Sequence, residues 1–465
     1  MSSNATSLLA GATRDLAEFS SAVEFDDIPK DVIARMKTSL LDSIGCCLFG
    51  MTLPWTQKVQ SMVEAEGSRG VASIFSSGQK TSVAGAVLVN ATAGHAFELD
   101  DIHKESIVHA GSIAAPVVLA LAEQAGGVSG RSLLTAMTMG YEIGTRVGNA
   151  ATMSLFFRGF HPQGTSGVFV AAAAAARMLV LNANQTQHAL GIVGSQAGGL
   201  MAAQEGAMVK RFHSGRAAQS GVYSAFLAQR DFTGISNVLE AGYGGYLSSY
   251  SETPNACRLT EDLGRVWEAG KVGYKPHACV TSIHAALDAF KYLLETHQLT
   301  PGNLSRVDVG ISQMTYTHCA WEYKSQGVTA AQMNLFYGLA VIAFDGVAFV
   351  AQYEESRLAE PQVMNFIKHI HARMDPEIEA MGPAFRHAAR VTVVTHDGRT
   401  FSHEILNRRG SPENPMSPEE VEYKFRNVVA SCLERSDIDR VIGLVGKIDQ
   451  QTTTNELTNL LAAKQ

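Results

Sequence analysis

The chain lacks most of the features that announce the commoner function classes. Its six cysteines, at 46, 47, 257, 279, 319 and 432, include no CxxC pair, which argues against both a cysteine-ligated zinc site and a disulfide framework. A reducing, cytoplasmic setting is therefore expected, with an organelle address left open. No uninterrupted apolar run approaches the ~18 residues of a membrane span. The opening MSSNATSLLAGATRDLAEF also lacks a charged start followed by a sustained apolar stretch, so neither a membrane span nor a secretory signal is expected. Charged residues make up only 17%, the net charge is −7, and no basic tract is interleaved with aromatics, so nucleic acid and acidic membranes are not expected partners. There is no Walker loop and no GxSxG elbow, and the glycine-rich AGYGGYLSSY follows no strand, which removes the simplest nucleotide-binding and serine-hydrolase readings.

What is present is small and apolar. Aromatics are 8% while hydrophobic residues reach 46% and glycines number 42, a composition that fits closely packed helices with small residues at their contacts. The length of 465 residues suggests two or more domains. From Asp26 to about Ala269 the apolar spacing is helical nearly throughout, as in DDIPKDVIARMKTSLLDSIGCCLFG and SGVFVAAAAAARMLVL. Near Lys271 the texture changes: RVDVGISQMTY alternates like a strand, and ARVTVVTHDGRTFSHEIL reads as a hairpin around Asp397 and Gly398. Helices are expected between them, in VTAAQMNLFYGLAVIAF and EPQVMNFIKHIHARM. After the polar linker NRRGSPENPMSP the helical signal returns at Pro418. The expected fold is mainly α: a large helical bundle, discontinuous over 1–269 and 406–465, with a smaller α+β domain inserted at 270–405.

The densest chemistry lies in HAFELDDIHKESIVH, His95 to His109, where three histidines, four acids and a lysine interrupt apolar surroundings. Burying so many titratable groups is costly, so a functional role outweighs a packing one. TSVAGAVLVNATAG reads as a buried helix, and a spacing of three would align His95, Glu98 and Asp101 on its continuation. AGSIAAPVVLALAEQAG begins the next helix, which makes the charged segment a loop held between core elements. Its spacings match no HExxH, EF-hand or cysteine-pair pattern, so no metal and no cofactor are expected. A second cluster, AMVKRFHSGRAAQSG, gathers Lys210, Arg211, His213 and Arg216, cations that repel one another unless an anion sits among them. A solvated helix end is the bland alternative, and a di- or tricarboxylate is the ligand that fits. In FHPQGTSG, Thr165 and Ser166 at a helix start could hold a carboxylate oxygen or simply cap the helix, while capping leaves His161 unexplained. KPHACVTSIH adds His277 and His284 near the domain junction, where structural hydrogen bonding is the commoner role.

Taken in order, GHAFELDDIH with HAGS, FHPQGTSGVFVAAAAAARML, GAMVKRFHSGRAAQSGVYSAFLAQRDFTG and YKPHACVTSIHAA resemble the MmgE/PrpD family over nearly the whole chain. The resemblance implies a large helical domain with an α+β lid, a homodimer, and one of three activities: 2-methylcitrate dehydratase, cis-aconitate decarboxylase or iminodisuccinate epimerase. LPWTQKVQ, ELDDIH, GLMAAQEGAMVKR and THCAW look most like the decarboxylase branch. It implies site roles for Glu98, Asp101, His103, His109, His161 and Lys210. One departure is Val280, where some family decarboxylases have a further histidine that His277 or His284 is expected to replace. The expectation is a metal-independent lyase in which His103 or His109 transfers a proton, Asp101 orients it, and Lys210 with His161 grips carboxylates. Glu98, Arg211, His213, Thr165, Ser166 and His277 are expected to bind substrate. A non-catalytic helical scaffold retaining a polycarboxylate pocket is the alternative from another class.

Overall fold

The computed structural model describes residues 11–464. At its centre is the helix Val83–Gly94, all of whose residues are buried. Ser82 starts this helix by accepting the Gly85 amide at 3.1 Å, which satisfies one of the orphan donors of the first turn. Apolar on every side, the segment belongs inside rather than on a surface. Lys30–Gly50, Gly111–Gln124 and Val209–Ala228 pack around it. The alanine run lies in Gly167–Met178, between Gly130–Phe157 and Val209–Ala228. A Cβ on Gly144 would sit 2.1 Å from Val170 Cγ2 and one on Gly221 2.2 Å from Ala171 Cβ, so side chains are excluded at both crossings. Among the described residues, no helix is long and apolar enough to cross a membrane.

A four-stranded sheet occupies the later part of the chain, in the order Ile370–Met374, Leu304–Ile311, Ala389–Thr395, Thr400–Ile405. The first pair is parallel and the others antiparallel. Alternate residues Ala389, Val391, Val393 and Thr395 are buried, and His284–Thr296 packs on this hairpin. The C-terminal helices Pro418–Val429 and Arg435–Gly446 pack against Lys30–Gly50. The fold is thus mainly α with a small sheet.

Three expected elements differ, the first being VTAAQMNLFYGLAVIAF, which forms two helices, Val328–Gln332 and Leu335–Asp345, because the Asn334 side chain accepts the Tyr337 amide at 3.1 Å and starts the second. The strand expected through QMTY ends at Ile311, because the Ser312 hydroxyl accepts the Thr315 amide at 3.1 Å and starts the helix Gln313–Cys319. The helix expected through HIHARM ends at Ile367, and Ile370–Met374 instead pairs in parallel with Leu304–Ile311. A distant strand supplies those backbone partners, and local periodicity cannot reveal it.

Candidate active site

The helix Val83–Gly94 stops at Gly94, and the charged segment runs on as a buried loop rather than a helical continuation. Its turn is made at Glu98, whose φ of 55° lies in the left-handed region. The stripe of His95, Glu98 and Asp101 expected from helical spacing therefore does not form. Ile102–His103 then pairs antiparallel with Val272–Gly273, which brings Lys275 under the loop. Glu98 becomes the hub of a buried ion cluster: Arg211 Nη1 donates to Oε1 at 2.8 Å, Lys275 Nζ donates to Oε2 at 3.0 Å, and Lys210 Nζ also donates to Oε1. Burial alone would raise the Glu98 carboxyl, but Lys210, Lys275 and Arg211 outweigh it and hold it well below the carboxylate range. Burial pulls Lys210 down to about 8 despite the opposing pull of Glu98.

Asp100 organises the histidines. Its carboxylate lies 2.7 Å from His95 Nδ1 and 3.3 Å from His109 Nδ1. Lys275 Nζ is 3.6 Å away. Among the described residues these donors form a compact group, with ligand atoms of His95, Asp100 and His109 within 4.8 Å of one another. Asp100 Oδ2 is hydrogen-bonded to His95 Nδ1, whereas Asp100 Oδ1 and His109 Nδ1 face each other at 3.3 Å and, like His95 Nε2, make no hydrogen bond among the described residues. His109 is further fixed through its backbone, which exchanges hydrogen bonds with the Gln163 side chain at 2.9 and 3.1 Å.

Glu98, His109, His161 and Lys210 converge on one narrow cavity of about 60 Å3, joined there by Lys104, Lys275, His318 and His387. Burial lowers His318 to about 4 and holds His387 well below the ordinary imidazole range. Val280 lines the same space. A wider groove of about 880 Å3 lies elsewhere, around Glu105, Arg158 and Arg258, without this convergence of histidines.

Several expected site residues face elsewhere. Asp101 accepts from Tyr141 Oη at 2.6 Å and from the Gly111 amide at 3.0 Å, so Asp100 rather than Asp101 contacts His109. His103 is held between Ser106 Oγ and Glu268 Oε2, each at 3.0 Å, outside the cavity lining. Thr165 Oγ1 donates to the His161 carbonyl and Ser166 Oγ pairs with Tyr246 Oη, and neither residue lines the cavity. His277 pairs with Asp288 and His284 with the Cys279 carbonyl, and neither lines the space beside Val280. Arg211 reaches the cavity only through Glu98, and His213 only through His161. Lys275, His318 and His387 escape sequence reasoning because each lies far along the chain from the acidic loop and the Lys210 motif, and no local spacing ties it to them. YKPHACV and THCAW, both singled out in the sequence, carry Lys275 and His318 without naming their partners.

Burial raises the Asp101 carboxyl from 3.8 to about 7, against the lowering effect of Tyr141. Between those values the folded state binds more protons than the unfolded one, so this group's contribution to stability falls as pH rises through the window. Asp101→Asn is expected to remove that slope, read as the difference between denaturation midpoints of wild type and variant from pH 4 to pH 7. A constant difference across the window would contradict it.

The MmgE/PrpD N-terminal domain matches residues 14–257 and the MmgE/PrpD C-terminal domain residues 277–450. The cis-aconitate decarboxylase of Aspergillus terreus is 31% identical, over 97% of this chain and 96% of that protein. The cis-aconitate decarboxylase-like protein oryM of Aspergillus oryzae is 30% identical over 97% of both. The cis-aconitate decarboxylase of Homo sapiens is 26% identical over 98% of this chain and 95% of that protein. With both halves matched and the likeness running from end to end, the chain belongs to the MmgE/PrpD family and is an enzyme of its lyase type.

Proposed function

We propose that the chain is a metal-independent lyase for a small di- or tricarboxylate, and that it decarboxylates cis-aconitate to itaconate. The carrying observation is the single narrow cavity in which Lys210, Lys275, His318, His387 and His109, the last 3.3 Å from Asp100, meet. In the proposed reaction a C–C bond to one carboxylate breaks and CO2 leaves. The electron pair stays on the unsaturated carbon frame, and one proton is added to carbon: cis-aconitate trianion plus a proton gives itaconate dianion plus CO2. Lys210 stabilises the charge that builds beside the remaining carboxylates, and a low-dielectric site strengthens that effect. His109, which faces Asp100, and His161 are the proposed proton carriers among the residues that line the cavity. The similarity to decarboxylases over the full chain supports this reading over dehydration or epimerisation.

The test is NMR in deuterated water with cis-aconitate, 2-methylcitrate and iminodisuccinate offered separately. Itaconate carrying one carbon-bound deuterium, together with CO2, is expected. Water loss from 2-methylcitrate, or α-deuteration of iminodisuccinate at constant carbon count, would replace the reading. Tight calorimetric binding of a tricarboxylate without any product would favour a non-catalytic scaffold.

A further inference from the structure

The balance above consumes one proton per turnover, yet the groups around the reacting carbon are nearly sealed. His109, His161, Lys210 and Lys275 are 7%, 6%, 5% and 1% exposed. One of them has a route outward. His161 Nδ1 lies 2.8 Å from His213 Nδ1, with ring centroids 5.1 Å apart. His161 lines the cavity, whereas His213 does not. His213 stands in the first turns of Val209–Ala228, half-buried, against a loop whose residues 195, 196, 198 and 200 are exposed. That loop runs close because it is glycine there: a Cβ on Gly199 would lie 3.3 Å from His213 Cγ. Neither Nε2 is taken up by another group among the described residues, and neither is buried. Each ring thus keeps one nitrogen free of a partner beside the shared hydrogen bond, His161 on the cavity wall and His213 outside it.

We propose that His213 and His161 form a proton relay between solvent and the narrow cavity. A neutral imidazole donates from one nitrogen and accepts at the other, so of the two facing Nδ1 atoms one donates and one accepts. His213 Nε2 takes a proton from water while its Nδ1–H passes to His161 Nδ1, and His161 releases its Nε2–H to the carbon left by CO2. Both rings finish neutral, still hydrogen-bonded with donor and acceptor exchanged, and ring rotation resets them. Burial and then the Lys210 charge keep His213 down at about 4 and His161 well below the ordinary range, so the proton passes through rather than resting on either ring. His213 then acts through His161 as a positioning and supply residue, not as a substrate ligand.

The relay rests on the decarboxylase reading, which wild-type CO2 release from cis-aconitate decides by itself. For the relay, His213→Gln keeps a hydrogen bond to His161 but cannot pass a proton. Its kcat is expected to fall about 10- to 100-fold with KM nearly unchanged, a loss at or below the usual worth of a positioned proton carrier. Added imidazole is expected to raise the kcat of His213→Ala in proportion to its concentration, a response that a packing role would not produce. Full kcat in His213→Gln, or a folded His213→Ala that imidazole does not rescue, overturns the relay. Spectra of 15N-histidine-labelled wild type give a readout independent of substrate. The Nδ1–H shared by His161 and His213 should exchange with solvent faster than the one held between His95 and Asp100, and equal protection of the two also overturns the relay.

Discussion

Lys210→Met is expected to lower kcat/KM for cis-aconitate by about 10²- to 10³-fold while leaving the protein folded. The size follows from where the charge sits. Lys210 is 5% exposed, lines the cavity, and is fixed by Glu98 before any substrate arrives, so it stabilises developing negative charge without reorganising. Folding is spared because Glu98 keeps two other cations, Arg211 at 2.8 Å and Lys275 at 3.0 Å. Burial brings the Lys210 ammonium down to about 8, so wild-type kcat/KM should also decline as pH rises through that value and the cation is lost. Steady-state kinetics beside a melting curve separate the outcomes. Unchanged kcat/KM would take Lys210 out of the chemistry, and a variant that no longer folds would make its role structural.

Sequence patterns carry the helices well and the site only in part. The mainly helical fold, the hairpin around Asp397 and Gly398, and the helix beginning at Pro418 are all legible, because each depends on local apolar spacing or turn chemistry. Ile370–Met374 is not, since its strand character comes from a partner more than sixty residues earlier in the chain. The same division runs through the cavity. The acidic histidine loop and the Lys210 motif stand out as anomalies of charge in apolar sequence. Which of the adjacent acids Asp100 and Asp101 turns toward His109 depends on the left-handed turn at Glu98 and the short pairing of Ile102–His103 with Val272–Gly273. Neither feature leaves a periodic trace. Lys275 reaches Glu98 from 177 residues away, and a lone lysine in YKPHACV does not name its partner in advance.

Glu98→Gln is expected to cost about 3–5 kcal/mol of stability, the usual penalty for removing one member of a buried ion pair. Glutamine preserves the volume, so the loss would come from charge: Lys210, Arg211 and Lys275, all at least 95% buried, would be left facing one another. The backbone adds to the effect. A glutamate at φ 55° holds an uncommon conformation that costs of order 1–3 kcal/mol, and in the wild type three charge-assisted contacts hold it there. Differential scanning fluorimetry should show the variant melting several degrees lower. The uncompensated cations also make a second, opposite effect: a polyanion such as citrate, binding only the folded state, should raise the variant's midpoint by more than the wild type's. If the variant melts with the wild type, the three cations do not depend on Glu98 for their compensation. If it melts lower and citrate fails to recover it, the cluster is a structural ion network and not the anion-binding wall of the cavity.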